Sequence, residues 1–155
     1  MGSTTLAYIA GFLDGDGSIF FQIIKRKDYL RKFQIRCSIA FYQKTRYAEI
    51  LQWLKDYFGA GYIRHRKTGI SDYTVVEPHE VGRILSLLLP YVRLKKKHAI
   101  LGLQILQKLE SAKSKEDFLK ICKLVDKFGK INYSKKRTMT YKVVKDYFKN
   151  KSLPP

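Results

Sequence analysis

The chain contains few acidic residues. Only 13 of its 155 residues are Asp or Glu, against 31 Lys and Arg, so the formal net charge is +18 at pH 7. Charge of one sign opposes compaction of the chain and is best explained by a polyanionic partner. Nucleic acid is the first candidate for that partner, and an anionic membrane surface is the second.

Long hydrophobic runs and cysteine patterns are also missing. No segment approaches the ~20 apolar residues of a membrane helix, and the first residues lack the charged and apolar regions of a secretory signal. The two cysteines, Cys37 and Cys122, show no metal or disulfide spacing. Because both lie in apolar-periodic segments, we expect buried free thiols in a reducing, intracellular compartment. The three histidines show no ligand spacing either.

No segment rich in Pro, Gly or Ser divides the sequence, so we expect one domain. It covers residues 1–155, with a core at 4–135 and a basic C-terminal loop and helix at 130–150. Hydrophobic residues make up 45% of the chain, which is enough for a core at this length.

Apolar periodicity predicts an αββαββα order followed by further helices. Thr45 is the predicted N-cap of the second helix and Gly59 its C-terminal stop. The predicted segments are a helix at 4–14, strands at 18–26 and 32–43, a helix at 45–59, strands at 61–67 and 71–77, and helices at 80–89, 96–109, 114–128 and 140–149. This order predicts an α+β fold in which helices cover one face of a four-stranded antiparallel sheet.

The other face of that sheet is predicted to be basic. Its polar positions carry Gln22, Arg26, Gln34, Arg36, Arg64 and Arg66. Arg and Gln make bidentate contacts with guanine and adenine edges, and a two-stranded ribbon enters the major groove of DNA. Most aromatic residues fall on the apolar side, whereas RNA-binding sheets expose aromatic rings for stacking. The pattern therefore favours DNA over RNA, with an ordinary solvated surface as the alternative for any single residue.

Within the stretch "AYIAGFLDGDGS", a predicted helix ends at two acids, Asp14 and Asp16. A helix C-terminus already carries partial negative charge, so acids are unfavourable there. One interpretation is a simple Asp-Gly turn. The other is an oxygen-rich site for a hard divalent cation such as Mg²⁺. In a basic, DNA-binding chain the second interpretation points to metal-dependent phosphodiester cleavage.

Small residues form a stripe along the same helix. Ala7, Ala10, Gly11 and Asp14 are spaced i, i+3, i+4 and i+7 and so share one face. This face packs either against the chain's own sheet or against a second copy of the helix. In a two-fold dimer, two acidic turns would converge and cut both DNA strands symmetrically.

The segment "YIAGFLDGDGS", Tyr8 to Ser18, resembles the LAGLIDADG motif of homing endonucleases. The resemblance covers essentially the whole chain and is strongest to the small, single-motif, homodimeric, intron-encoded type. It implies a saddle-shaped sheet, a double-strand break at a long, nearly palindromic DNA target, and intron mobility. It also implies Mg²⁺ as cofactor, with Mn²⁺ supporting activity and Ca²⁺ binding without cleavage. An organellar location, chloroplast or mitochondrion, is expected, with no membrane partner and no small-molecule cofactor.

The resemblance also implies roles for individual residues. Asp16 and the Gly15 carbonyl correspond to metal ligands, whereas Asp14 is less central to the metal and helps to end the helix. Gln43 corresponds to a residue that orders water near the scissile phosphate, and Lys95 to one that stabilises the phosphate transition state. The implied dimer interface consists of Ala7, Ala10, Gly11 and Asp14. The expected DNA-binding residues are Gln22, Ile24, Arg26, Tyr29, Gln34, Arg36, Ser38, Arg64, Arg66, Asp72, Ser134 and Lys135. Among them, Arg64, Arg66 and Asp72 correspond to positions that contact DNA or support those contacts.

One position departs from the family pattern. Similar enzymes have a basic residue four positions after the glutamine, where this chain has Tyr47, preceded by Arg46. Either Arg46 takes that catalytic role or the role is absent. Two alternatives to a nuclease therefore stay open, because a fold does not determine function. One is a DNA- or RNA-binding family member, such as a maturase or regulator, and the other is an RNA-binding protein of ribosomal type.

Overall fold

A computed structural model describes residues 2–132 and 137–151. Its elements are α1 (Ser3–Asp16), β1 (Gly17–Lys25), β2 (Phe33–Lys44), a 3₁₀ turn (Thr45–Tyr47), α2 (Glu49–Phe58), β3 (Tyr62–His65), β4 (Ile70–Val75), α3 (Pro78–Leu88), α4 (Lys96–Ser111), α5 (Lys115–Ile131) and α6 (Tyr141–Lys151). The predicted αββαββα order and the α+β class are confirmed. Ser134 and Lys135 lie outside the described residues. Within the described ranges, no helix is long and apolar enough to cross a membrane.

The four strands form one sheet in the order β1-β2-β4-β3. β4 pairs antiparallel with both β2 and β3. The chain folds into two compact units, the first formed by Met1–Phe20 and Cys37–Leu103 and the second by Phe21–Arg36 and Gln104–Pro155. That the whole chain is a single domain stays a prediction.

Alternation along β1 and most of β2 separates a buried face from a less buried one, whereas β4 is buried from Ser71 to Val75. In β2, the residues from Phe33 to Phe41 at odd positions are all buried, as the sequence predicts. In the first unit, Phe41 lies opposite Tyr73 and their rings stack at 5.9 Å. The Tyr73 hydroxyl donates a hydrogen bond to the carbonyl of Ala60 at 2.7 Å. Helix α2 contacts β3 and β4, and its buried side chains are Leu51, Leu54 and Phe58.

The start of α2 differs from the prediction, whereas its end does not. The helix begins at Glu49, and Thr45 is not its N-cap. The Thr45 hydroxyl instead hydrogen-bonds the Ser71 hydroxyl at 2.8 Å, so a tertiary contact replaces the local cap. Gly59 ends α2 in the left-handed conformation with φ of 73°, a conformation that glycine adopts without steric cost.

Gly17 joins α1 directly to β1 and has no room for a side chain. A Cβ atom here would lie 2.9 Å from the carbonyl oxygen of Ala40 and 2.7 Å from Cδ1 of Leu13. We therefore expect Gly17→Ala to lower the free energy of unfolding by about 1–3 kcal/mol, as overpacking does in other cores. Urea denaturation measures this difference.

Gly15→Ala is the matched control for that variant. No heavy atom lies within 4 Å of a Cβ built at Gly15, so this change should stabilise the helix by about 0.5–1 kcal/mol. Equal urea midpoints for the two variants would contradict the steric argument.

The second unit packs α5 and α6 together with part of β1. The rings of Phe21 and Phe128 stack at 4.9 Å, and Arg137 Nη1 donates to the Phe21 carbonyl at 2.7 Å. Both carboxylate oxygens of Asp126 accept the Tyr141 N–H at the start of α6, each at 3.2 Å. At the start of α5, Ser114 and Asp117 form a capping box.

Both cysteines are buried free thiols, as expected from the sequence. Burial raises the pKa of Cys37 to about 11 and that of Cys122 to about 12. Neither thiol is therefore ionised near neutral pH, and neither is a reactive nucleophile.

Candidate active site and basic strand face

The two acids at the end of α1 have different environments. The Asp14 carboxylate accepts backbone N–H bonds from Arg93 at 2.8 Å, Leu94 at 3.2 Å and Lys95 at 3.0 Å. Burial alone would raise the pKa of Asp14, but these three N–H groups outweigh it and hold the pKa below its usual value. The Asp14 carboxylate therefore links the segment before α4 to the end of α1 by hydrogen bonds.

Asp16, by contrast, is exposed at the last position of α1. Across residues 2–132 and 137–151, no hydrogen bond or ion pair engages its carboxylate. Gly15 is also exposed, and carbonyls in the last turn of a helix have no intrahelical partner. A carboxylate and a carbonyl oxygen side by side are the ligands that hard divalent cations prefer. The oxygen ligands offered by Asp16 and Gly15 therefore suit the expected metal. The Asp14 carboxylate, by contrast, already accepts three backbone hydrogen bonds.

Lys95 lies beside both acids. Its Nζ donates to the backbone carbonyl of Asp14 at 2.7 Å. Partial burial lowers the pKa of Lys95 below its ordinary value, while the negative charges of Asp14 and Asp16 oppose that shift. A compact positive charge is thus placed at the acidic turn.

Gln43 lies at the end of β2, and Arg46 lies in the 3₁₀ turn that follows it. Gln43 is half-buried opposite Ser71, and its Oε1 accepts the Lys44 N–H at 2.9 Å. The guanidinium of Arg46 lies 4.9 Å from the centre of the Tyr47 ring, and both side chains are exposed. The basic residue and the tyrosine that departs from the family pattern therefore form one stacked pair.

A hydrogen-bond network that the sequence did not reveal supports the 3₁₀ turn after β2. The hydroxyl of Ser71, which is fully buried, bonds the Thr45 hydroxyl at 2.8 Å and His65 Nδ1 at 2.7 Å. It connects the turn after Gln43 to the β3–β4 hairpin. The sequence contained one indication that Ser71 is buried. Period-two alternation in β4 places Ser71 on the same face as Tyr73 and Val75.

Asp72 lies where the sequence expects a residue that contacts DNA or supports such contacts, and its surroundings favour the supporting role. Its side chain is 0% exposed. It accepts hydrogen bonds from Arg64 Nε at 3.2 Å, Arg66 Nε at 2.9 Å and the Thr74 hydroxyl at 2.7 Å. Burial would raise the pKa of Asp72, but these three partners hold it below its usual value. Asp72 is therefore a positioning residue for two arginines whose side chains are 54% and 44% exposed.

The second unit carries the other predicted strand-face residues. Arg26 Nη1 donates to Gln34 Oε1 at 3.3 Å, and Arg26 also pairs with Asp28 at 3.2 Å and lies over the Tyr29 ring. Arg36 is exposed, whereas Gln22 and Ile24 are half-buried. Ser38, in the first unit, is half-buried as well.

The small-residue stripe of α1 is only partly available to a partner. Ala7 and Gly11 are exposed and Asp14 is half-buried, and they line a groove of about 690 Å³ with residues 90–93 and Lys96. Ala10 is 0% exposed and belongs to the core of its own chain. Its predicted place in a dimer interface is therefore wrong, because its side chain is buried in that core along with Ile9 and Leu13.

Asp16 is thus an exposed acid at the end of a small-residue helix, beside Lys95. The family described as LAGLIDADG endonuclease matches residues 9–101. The chain belongs to this family.

Relatives are similar along almost the whole chain. DNA endonuclease I-CvuI of Chlorella vulgaris is 38% identical over 92% of this chain and 89% of its own length. DNA endonuclease I-CreI of Chlamydomonas reinhardtii is 40% identical over 90% of this chain and 86% of its own length. A crystal structure of I-CvuI with its target in the presence of Ca superposes with a TM-score of 0.90, at 37% identity, covering 95% of this chain and 94% of that one.

Proposed function

We propose that this protein is a divalent-metal-dependent, site-specific DNA homing endonuclease that makes a double-strand break. The single observation that carries the proposal is the acidic turn. Asp14 is occupied by three backbone N–H groups, while Asp16 is exposed on the family motif beside Lys95. A protein that only binds DNA has no need for such an exposed acid.

The side chains divide the work of phosphodiester cleavage. Asp16 and the Gly15 carbonyl would hold the cation, for which Mg²⁺ is proposed, with Mn²⁺ also active and Ca²⁺ binding without cleavage. A cation held there would supply the charge that polarises the phosphate, lowers the pKa of a water and stabilises the leaving oxygen. Lys95 contributes positive charge where negative charge develops on the phosphate. Gln43 orients the attacking water by hydrogen bonding.

Base recognition is proposed for the strand residues of both units. Arg64 and Arg66 are held by Asp72, so they lose little conformational freedom on binding, which favours bidentate contact with guanine. The residues of the second unit, Gln22, Ile24, Arg26, Tyr29, Gln34 and Arg36, extend this readout, with Ser38 from the first. Ser134 and Lys135 are proposed to contact the DNA backbone.

A homodimer is proposed to complete the active site. Ala7 and Gly11 are exposed and small, so a second α1 helix can approach closely along this stripe. Two-fold symmetry would then place one Asp16 near each strand of a long, nearly palindromic target. By family resemblance, we propose that the break promotes intron mobility and that the protein acts in a chloroplast or mitochondrion.

Cleavage of a randomised duplex library in Mg²⁺, followed by sequencing of the cut ends, tests this function. We expect one recurrent, two-fold related sequence among the ends. Retention of a preferred sequence without any cutting would instead favour the alternative, a maturase or regulator, which the departure at Tyr47 keeps open. Preference for RNA over the DNA duplex would contradict both the endonuclease and a DNA-binding alternative.

Arg46 is proposed to supply the positive charge that the family pattern places at position 47. We expect Arg46→Gln to lower the single-turnover cleavage rate about tenfold, the effect of losing one charged hydrogen bond of about 1.5 kcal/mol. The control is Tyr47→Leu, which removes the ring under the guanidinium but leaves the charge. An unchanged rate for Arg46→Gln would show that this catalytic role is absent.

A further inference from the structure

Two rows of lysines line helices α5 and α6 in the second unit. Lys120, Lys123, Lys127 and Lys130 recur at i, i+3, i+7 and i+10 along α5, and all four are exposed. Lys142, Lys145 and Lys149 recur at i, i+3 and i+7 along α6, and they are exposed as well. Such spacing places each row on one side of its helix. We call these seven residues the helix lysine surface.

An aromatic ring joins the two rows. Lys123 Nζ lies 4.8 Å and Lys145 Nζ 5.8 Å from the centre of the Tyr141 ring, so the rows of α5 and α6 meet there. Helices α5 and α6 also pack against each other. These two cation–π contacts offset part of the repulsion between the ammonium groups of Lys123 and Lys145.

The four acids of α5 and α6 offset only part of the positive charge of the helix lysine surface. Both oxygens of Asp126 accept the backbone N–H of Tyr141. Asp117 accepts the N–H groups of Lys113 and Ser114 in the cap of α5. Glu116 and Asp146 are the remaining acids of α5 and α6, against seven lysines. The surface therefore retains a strong excess of positive charge.

We propose that the helix lysine surface binds the phosphate backbone of double-stranded DNA without sequence preference, as a contact additional to the strand residues. Lysine is a compact point charge that neutralises phosphates and lacks the planar fork by which arginine reads bases. Single-stranded RNA is a poorer partner, because its recognition needs exposed rings for stacking. Tyr141 and Tyr147 are only half-exposed and already lie under lysine ammonium groups.

The salt dependence of binding to a non-target duplex tests the proposal. The variant carries Lys123→Gln, Lys127→Gln and Lys145→Gln. Each phosphate contact adds about 0.9 to the slope of log affinity against log salt concentration. We therefore expect the slope to fall by about 2–3. The matched control carries Lys55→Gln, Lys108→Gln and Lys113→Gln, which removes the same formal charge from residues outside the surface, and its slope should stay close to that of the parent.

An equal fall in slope for both variants would overturn the proposal, since net charge alone would then explain it. An unchanged slope for the surface variant would overturn it as well. A larger loss of affinity for single-stranded RNA than for the duplex would replace DNA by RNA as the partner. Urea midpoints confirm that both variants are folded. These readouts need no cleavage, so the proposed nuclease activity can fail or hold independently of them.

Discussion

Asp16→Asn is expected to lower the single-turnover cleavage rate by at least about 10³-fold, because metal ligation supplies several kcal/mol of transition-state stabilisation. Asn keeps the size of the side chain but loses the negative charge that a divalent cation needs. Affinity for the duplex, measured without divalent metal, should not fall, since Asp16 repels phosphate. The measurement pairs a cleavage time course in Mg²⁺ with a binding titration.

Asp56→Asn is a suitable control for this variant. Asp56 is an exposed acid on α2 that accepts a hydrogen bond from Gln52 at 2.8 Å, and its loss should leave cleavage unchanged. An Asp16→Asn protein that cuts nearly as fast as the parent would show that the proposed metal site is wrong. A protein that neither binds nor cuts would indicate a folding defect instead.

Asp14→Ala is expected to lower both stability and catalysis, through Lys95. Loss of a charged acceptor of three backbone N–H groups should reduce the free energy of unfolding by about 2 kcal/mol. The segment that carries Lys95 is then released, and a displaced catalytic group reduces the cleavage rate about 10²-fold. Duplex affinity should be retained. Urea denaturation and single-turnover cleavage measure the two effects.

Asp14→Asn separates positioning from general instability. Asn keeps one oxygen acceptor, so it should recover part of both the stability and the rate. If Asp14→Ala lost stability but cut at the parental rate, Asp14 would not be a positioning residue for Lys95.

The pKa of Asp14 adds an acid-sensitivity test. Its folded pKa lies below the ordinary value of 3.8, so the carboxylate stabilises the native state above the unfolded pKa. That contribution is lost as pH falls through the lower, folded pKa. The urea midpoint of the parent should therefore fall more steeply below pH 3.8 than that of Asp14→Ala. Parallel profiles would contradict the assigned hydrogen bonds.

Local patterns in the chain were sufficient for most of the fold. Period-two alternation in β2 and the small-residue stripe of α1 lie within single elements, and the structure places these elements close to their predicted bounds. The errors concern residues whose partners come from elsewhere. Thr45 resembles an N-cap by its position, but its hydroxyl bonds Ser71, which lies 26 residues away in the chain. Ala10 shares a face with Ala7 by spacing, yet the surrounding core buries it.

The sequence by itself determined the family, the excess of positive charge, and a pair of acids at the end of a small-residue helix. Each of these depends on composition or on residues close together in the chain. Only the tertiary structure decided that Asp14 accepts hydrogen bonds from the backbone and that Asp16 is exposed. The donors to Asp14 lie 79 to 81 residues further along the chain. The buried carboxylate of Asp72 likewise became a support for two arginines only through strand pairing. Hydrogen bonds between residues so far apart leave no periodic signal in the sequence, because folding alone brings the partners together.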